Sequence, residues 1–175
     1  MSASKEETEI YAMIGATLIH LQYTEQSIRR CMTFVFQEGS GITLEELETQ
    51  LSKERKKTIG YFLGELRKRA ELHPSFDKVL DDFLECRNKF VHNIESVPGW
   101  DLDSAEGKKS ARMFISRVFN LSNKMLLTFS GFLRAWQKQV GLDVPMPPGS
   151  EEFFKAVDQD CTPMINHLVF KKERQ

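Results

Sequence analysis

Arg87 and His92 stand five positions apart in the stretch ECRNKFVHNIE, with Asn88 directly after the arginine. A guanidinium grips anions through a planar fork of donors and keeps its charge at any physiological pH. An imidazole exchanges a proton near neutrality. Such a set suits the binding of a charged group and the movement of a proton beside it. The same residues adjoin Phe83, Phe90 and Val91, so they also fit the polar end of a packed helix.

Placement on a helix sharpens the choice. With Phe76 at zero and about 100° per residue, Arg87 falls at about 20°, inside an apolar stripe of Phe76, Leu80, Phe83 and Phe90. Asn88 and His92 fall at about 120° and 160°, together on its flank. A permanent cation on a packing face is costly without an anionic partner. Glu25 of the first helix, a ligand phosphate and a cleft against a partner subunit are the three candidates.

The elements that must position this set are helices. Ile10, Ile14, Leu18, Leu21, Ile28, Met32 and Val35 recur at spacings of three, four and seven, which predicts one long amphipathic helix up to about Phe36. Thr43 and Glu46 have the spacing of a capping box ahead of a short helix from 44 to about 52. Ile59, Phe62, Leu63, Leu66 and Ala70 predict a helix from Thr58 to about Leu72. Pro74 interrupts it and opens the next helix, over about 75–93, which carries the motif. Phe114, Val118, Leu121, Met125, Phe129, Phe132 and Trp136 predict a second long helix over about 104–138. A proline-rich connection and one more short helix, about 150–158, follow. Alternating strand patterns are almost absent. The expected fold is all-α, a bundle of two long and two medium helices with short helical additions. Residues 1–140 form the bundle, and 141–175 an extension packed on it.

Bulk properties bound the function. The chain has 175 residues, with 41% hydrophobic and 28% charged side chains and a formal net charge of -1. That size suits one domain, and that charge is not the basic signature of a general nucleic-acid coat. Cys31, Cys86 and Cys161 offer no CxxC pair, and no histidines have metal-ligand spacing, so neither a structural metal nor another cofactor is expected. No leader-like or membrane-length apolar run is present, and a cytoplasmic location without membrane contact is expected.

The stretch RNKFVH resembles the R-x4-H motif of the HEPN superfamily, the higher eukaryote and prokaryote nucleotide-binding domains, in the form with a polar residue after the arginine. The segment KKTIGYFLGELRK resembles the T-[IL]-G-x-[LF] stretch found upstream of that motif. The likeness covers roughly residues 8 to 138. It implies a HEPN-like helical bundle that cuts RNA without a metal, commonly as a homodimer with two motif helices in one cleft. It also implies a place in a bacterial toxin or antiphage-defence system, with an antitoxin or regulatory protein as a further partner. Carried over residue by residue, Arg87 is the family arginine, Asn88 the polar position and His92 the family histidine. Some HEPN toxins carry a modified tyrosine two residues after the histidine; here that position is Ile94, so that mode of control is not implied.

Under that resemblance the chemistry is self-consistent. RNA brings its own nucleophile, the 2'-hydroxyl. His92 would take its proton, and Arg87 would hold the phosphate and stabilise the charge of the transition state. Asn88 would orient the imidazole or bind the phosphate. Glu25 would support Arg87, and Trp100 could stack a base. The alternative is a non-catalytic HEPN-like module that binds a protein partner or a nucleotide and keeps Arg87 for structure.

Overall fold

The computed structural model describes residues 4–36, 57–142, 148–161 and 169–171. The fold is all-α. Helix α1 spans Lys5–Phe34, α2 Ile59–Arg69, α3 Pro74–His92, α4 Ala105–Gln139 and α5 Glu151–Ala156, which runs on into a π-helical turn, Val157–Cys161. The helix expected over 44–52 lies outside the described residues.

One expectation needs correcting. Helix α2 stops at Arg69, and Ala70–Leu72 forms a short strand, β1, paired antiparallel with β2, Val169–Lys171. Ala70 is fully extended at φ -136° and ψ 148°. Pro74 bars His73 from helical geometry, and a backbone that has left the helix needs another hydrogen-bond ladder. Val169–Lys171 supplies it, with Glu71 opposite Phe170.

Two compact units are built from these elements: one from Met1–Thr24 and Val79–Met125, the other from Glu25–Lys78 and Leu126–Gln175. In the second, Phe129 and Phe132 pack edge to face at 5.8 Å, with Phe76 6.4 Å from each ring. Arg134 and Lys138 both meet Asp158, at 3.1 and 3.3 Å. Burial opposes charge on that carboxyl, but the two cations hold its pKa below the usual value.

In the first unit α1 and α4 run parallel, since Glu7 pairs with Lys108 and Glu9 with Arg112. Their buried lines keep a heptad rhythm. On α1 the line passes through Ile10, Thr17, Leu21 and Thr24, while Leu18, expected inside, is 40% exposed. On α4 it passes through Ala111, Ile115, Val118 and Ser122, with the expected Leu121 only half-buried. Thr24 and Ser122 meet through their Oγ atoms at 2.8 Å, and His20 Nδ1 lies 3.0 Å from Ser122 Oγ. The His20 ring also packs on Phe119 at 4.6 Å. Helix α3 reaches the same core with Leu80, Phe83 and Phe90, the last 6.5 Å from Phe114.

Two predictions follow from this packing. A Cβ at Gly107 would overlap the carbonyl oxygen of Asp101, where the loop crosses the first turn of α4. Alanine usually favours a helix over glycine by about 1 kcal/mol. Here Gly107→Ala should instead destabilise by about 1–3 kcal/mol, the usual cost of overpacking, read by urea denaturation. Burial, partly opposed by a hydrogen bond with Asn123, lowers the pKa of His20 below 6.5. Stability from a histidine held neutral is complete above about pH 6.5 and is lost as pH falls through the lower folded value. His20→Gln should therefore flatten the fall in melting temperature between pH 7 and pH 5. An unchanged slope would count against this role of His20.

Candidate active site

Helix α3 ends on His92, the histidine of the candidate motif. After His92 the backbone turns out at Asn93, φ -144° and ψ 44°, and a short 3-10 turn, Ile94–Ser96, follows. The Asn93 amide still donates to the Lys89 carbonyl at 2.9 Å, and Ser96 Oγ donates to the Asn93 carbonyl at 2.7 Å. These bonds cap the helix, and the negative end of its dipole suits the cations of the last turn.

Arg87 starts from a half-buried position beside Phe83 and Phe90 and carries its charge outward along its aliphatic stem. Its Nη1 donates to Asn88 Oδ1 at 3.1 Å and to His92 Nε2 at 3.1 Å. Arginine has only donors, so in this contact Nε2 of His92 is the acceptor, the arrangement of the Nδ1–H tautomer. The structure thus brings Arg87, Asn88 and His92 together on the exposed edge of α3. Glu85, one turn before Lys89, pairs with it at 2.7 Å; that bond to Lys89 lowers the Glu85 pKa. One turn into the buried side, burial raises the Cys86 thiol above its ordinary pKa, as befits a small packing residue rather than a nucleophile.

The two supporting residues are placed as follows. Glu25 forms an i,i+4 ion pair with Arg29 of its own helix at 3.6 Å. Trp100 sits half-buried at the close of the turn after the motif, its amide donating to the Val97 carbonyl at 2.9 Å, and Gly99 before it adopts φ 72°. Among the described residues no aromatic ring stacks on it. The basic run at 67–69 is committed to structure: Arg67 holds Asp77 at 2.6 Å, and Lys68 and Arg69 hold Glu65 at 2.7 and 3.1 Å. His73 is committed too, with Nδ1 2.8 Å from Ser75 Oγ at the start of α3.

An open groove of about 560 Å³ is lined by Asp82 of α3 and by Arg112, Met113, Arg117, Asn120 and Lys124, among others, of α4. One signal for it is in the sequence: α4 has no carboxylate after Glu106. Among the described residues no group of three His, Cys, Asp or Glu side chains could hold a metal ion, and no helix is long and apolar enough to cross a membrane. Compared with protein-family models, curated proteins and solved structures, the chain matches none.

The geometry at His92 is directly measurable. Two-bond proton–nitrogen NMR should show Nε2 unprotonated and Nδ1 protonated at pH 8 in the wild type. Arg87→Ala removes the donor and should shift the tautomer balance toward Nε2–H. Identical imidazole spectra in the two proteins would show that the contact does not form in solution.

Proposed function

We propose that this protein is a metal-independent endoribonuclease of the HEPN type, acting as a homodimer in a bacterial toxin or antiphage-defence system. The observation that carries the reading is the convergence of Arg87 on both Asn88 and His92, each at 3.1 Å, at an accessible helix end. In this free state the guanidinium orients the imidazole through Nε2. An arriving phosphodiester is a stronger acceptor for Arg87 than a neutral imidazole, because the bond is then charge-assisted on both sides. Drawing the guanidinium onto the phosphate releases the Nε2 lone pair. His92 can then take the proton of the adjacent 2'-hydroxyl as the oxygen attacks phosphorus. The 5'-oxygen leaves with a proton from a second acid, for which a two-fold mate would present its own His92. Products are a 2',3'-cyclic phosphate and a 5'-hydroxyl. The same contact favours the second reading, a binding module in which Arg87 and His92 simply satisfy one another.

Cleavage of RNA in excess chelator separates the two. The reading expects His92→Ala to lower the rate by about 10²–10⁴-fold, the usual worth of general acid–base catalysis. Arg87→Ala should be at least as damaging through lost charge stabilisation, with circular dichroism to show that the variant folds. Asn88→Ala should be milder. A substrate with 2'-deoxyribose at the scissile position should resist. Cutting of that substrate, or full activity in His92→Ala, would eliminate the 2'-hydroxyl mechanism. A folded wild-type dimer that cuts no RNA would favour the binding module.

A further inference from the structure

We infer that the outer face of α1, from Tyr11 to Tyr23, is a docking surface for a second copy of this chain, two α1 helices packing antiparallel about a two-fold at the level of Thr17. The ribonuclease reading calls for a dimer but names no face for it, and this inference stands without that reading. The first observation is an exposed apolar face. Tyr11, Leu18, Ile19 and Tyr23 are exposed by 54, 40, 54 and 61%. At about 100° per residue they share an arc of about 160° with the exposed Ala12, Gly15, Ala16 and Gln22, centred opposite the buried Thr17. From Ile10 to Thr24 the helix has no Asp, Glu, Lys or Arg, in a chain whose side chains are 28% charged. The outer face of a helix is ordinarily charged or polar, and a continuous exposed apolar patch marks an interaction site. A membrane surface would call for Lys and Arg beside the apolar residues, which this stretch lacks.

The second observation is Gly15, near the middle of that face. Glycine inside a helix costs about 1 kcal/mol against alanine. At Gly107 the Asp101 carbonyl demands it, whereas a Cβ on Gly15 would point into open space. Its own fold thus gives Gly15 no reason, while a bare backbone on an apolar face lets another helix approach closely. The third observation is self-complementarity. A two-fold contact sets one patch against itself, residue i meeting j and j meeting i. With the axis at Thr17, positions equally far before and after it stand level in an antiparallel pair. Gly15 is then level with the partner's Ile19, Ala16 with the partner's Leu18 and Ala12 with the partner's Gln22. Small stands against large in all three, and Tyr11 joins the partner's Tyr23 at each end, where a ring can pack while its hydroxyl stays wet. The face presents roughly 400–500 Å², below the about 800 Å² per partner of a standard interface and in the range of reversible ones.

The test is sedimentation velocity on the full chain. The wild type should show a reversible monomer–dimer equilibrium between about 1 and 300 µM, as suits so small an interface. Gly15→Glu and Ile19→Lys should each raise the dissociation constant at least about 10-fold, because each buries a charge without a partner. Both change exposed positions to good helix formers, so circular dichroism should show each variant folded. Gly64→Glu, at an open glycine of α2, should leave association unchanged. Mixed one to one, the Gly15→Glu and Ile19→Lys proteins should form a heterodimer, since the introduced carboxylate and ammonium then stand level. A wild type that stays monomeric throughout would overturn the interface, and its binding to anionic lipid vesicles would give the face to a membrane instead. Variants that dimerise as the wild type does would also overturn it, leaving the ribonuclease reading to a dimer through another face. Two monomeric variants whose mixture stays monomeric would overturn the antiparallel register.

Discussion

Thr24 and Ser122 are both fully buried, and a buried hydroxyl left without a partner costs about 1–3 kcal/mol. Their Oγ atoms meet at 2.8 Å, and Thr24 also lies within hydrogen-bond reach of the Ser122 and His20 carbonyls. The Thr24 bond to the His20 carbonyl lies within α1, whereas its contact with the Ser122 hydroxyl and carbonyl exists only in this register. Polar residues at seam positions fix register in this way at some expense of stability. Once α4 is fixed against α1, the rest of that unit follows. Phe90 finds Phe114, α3 lies along α4, and the groove opens between them.

The motif depends on that placement less than the groove does. Arg87, Asn88 and His92 lie within six residues of one helix, so their meeting follows from helical geometry and an end at His92. What packing adds is the pressure on Arg87. With Phe83 and Phe90 buried on either side, its charge has to travel outward, and Asn88 and His92 are what it meets there. The ion pairs at Glu65 and Asp77 show the same economy elsewhere, each cation of 67–69 being held by a neighbour on its own or the next helix.

This division explains what could be read without coordinates. Helix extents were legible, because periodicity and breakers such as Pro74 are local. That Arg87, Asn88 and His92 share one helix end was legible too, but the wheel left Arg87 on the packing face, and its outward turn onto the other two was not. The composition of the seam was not. A reading by hydrophobicity selects Leu18 and Leu121, while the heptad selects Thr17 and Ser122, whose hydroxyls only make sense once a partner helix is present. The strand at Ala70–Leu72 was hidden for the same reason, since its partner lies near residue 170. His20 looked isolated because Ser122 is 102 positions away. The groove was half-legible: the acid-free run of α4 is plain in the sequence, but not which of its cations are neutralised across the helix interface.

The parallel course of α1 and α4 has a consequence for how the chain is made. Thr24 and Ser122 are 98 positions apart, and Glu9 and Arg112 are 103 apart. Contacts so distant form late, since the intervening loop must be closed before they repay its entropy. On the ribosome, α1 is finished long before α4 emerges, so a nascent chain of a hundred residues displays the inner face of α1, with Ile10, Leu21 and Ile28, to whatever is nearby. An assisting chaperone would meet that face first, and a stalled or shortened translation product would leave it permanently uncovered.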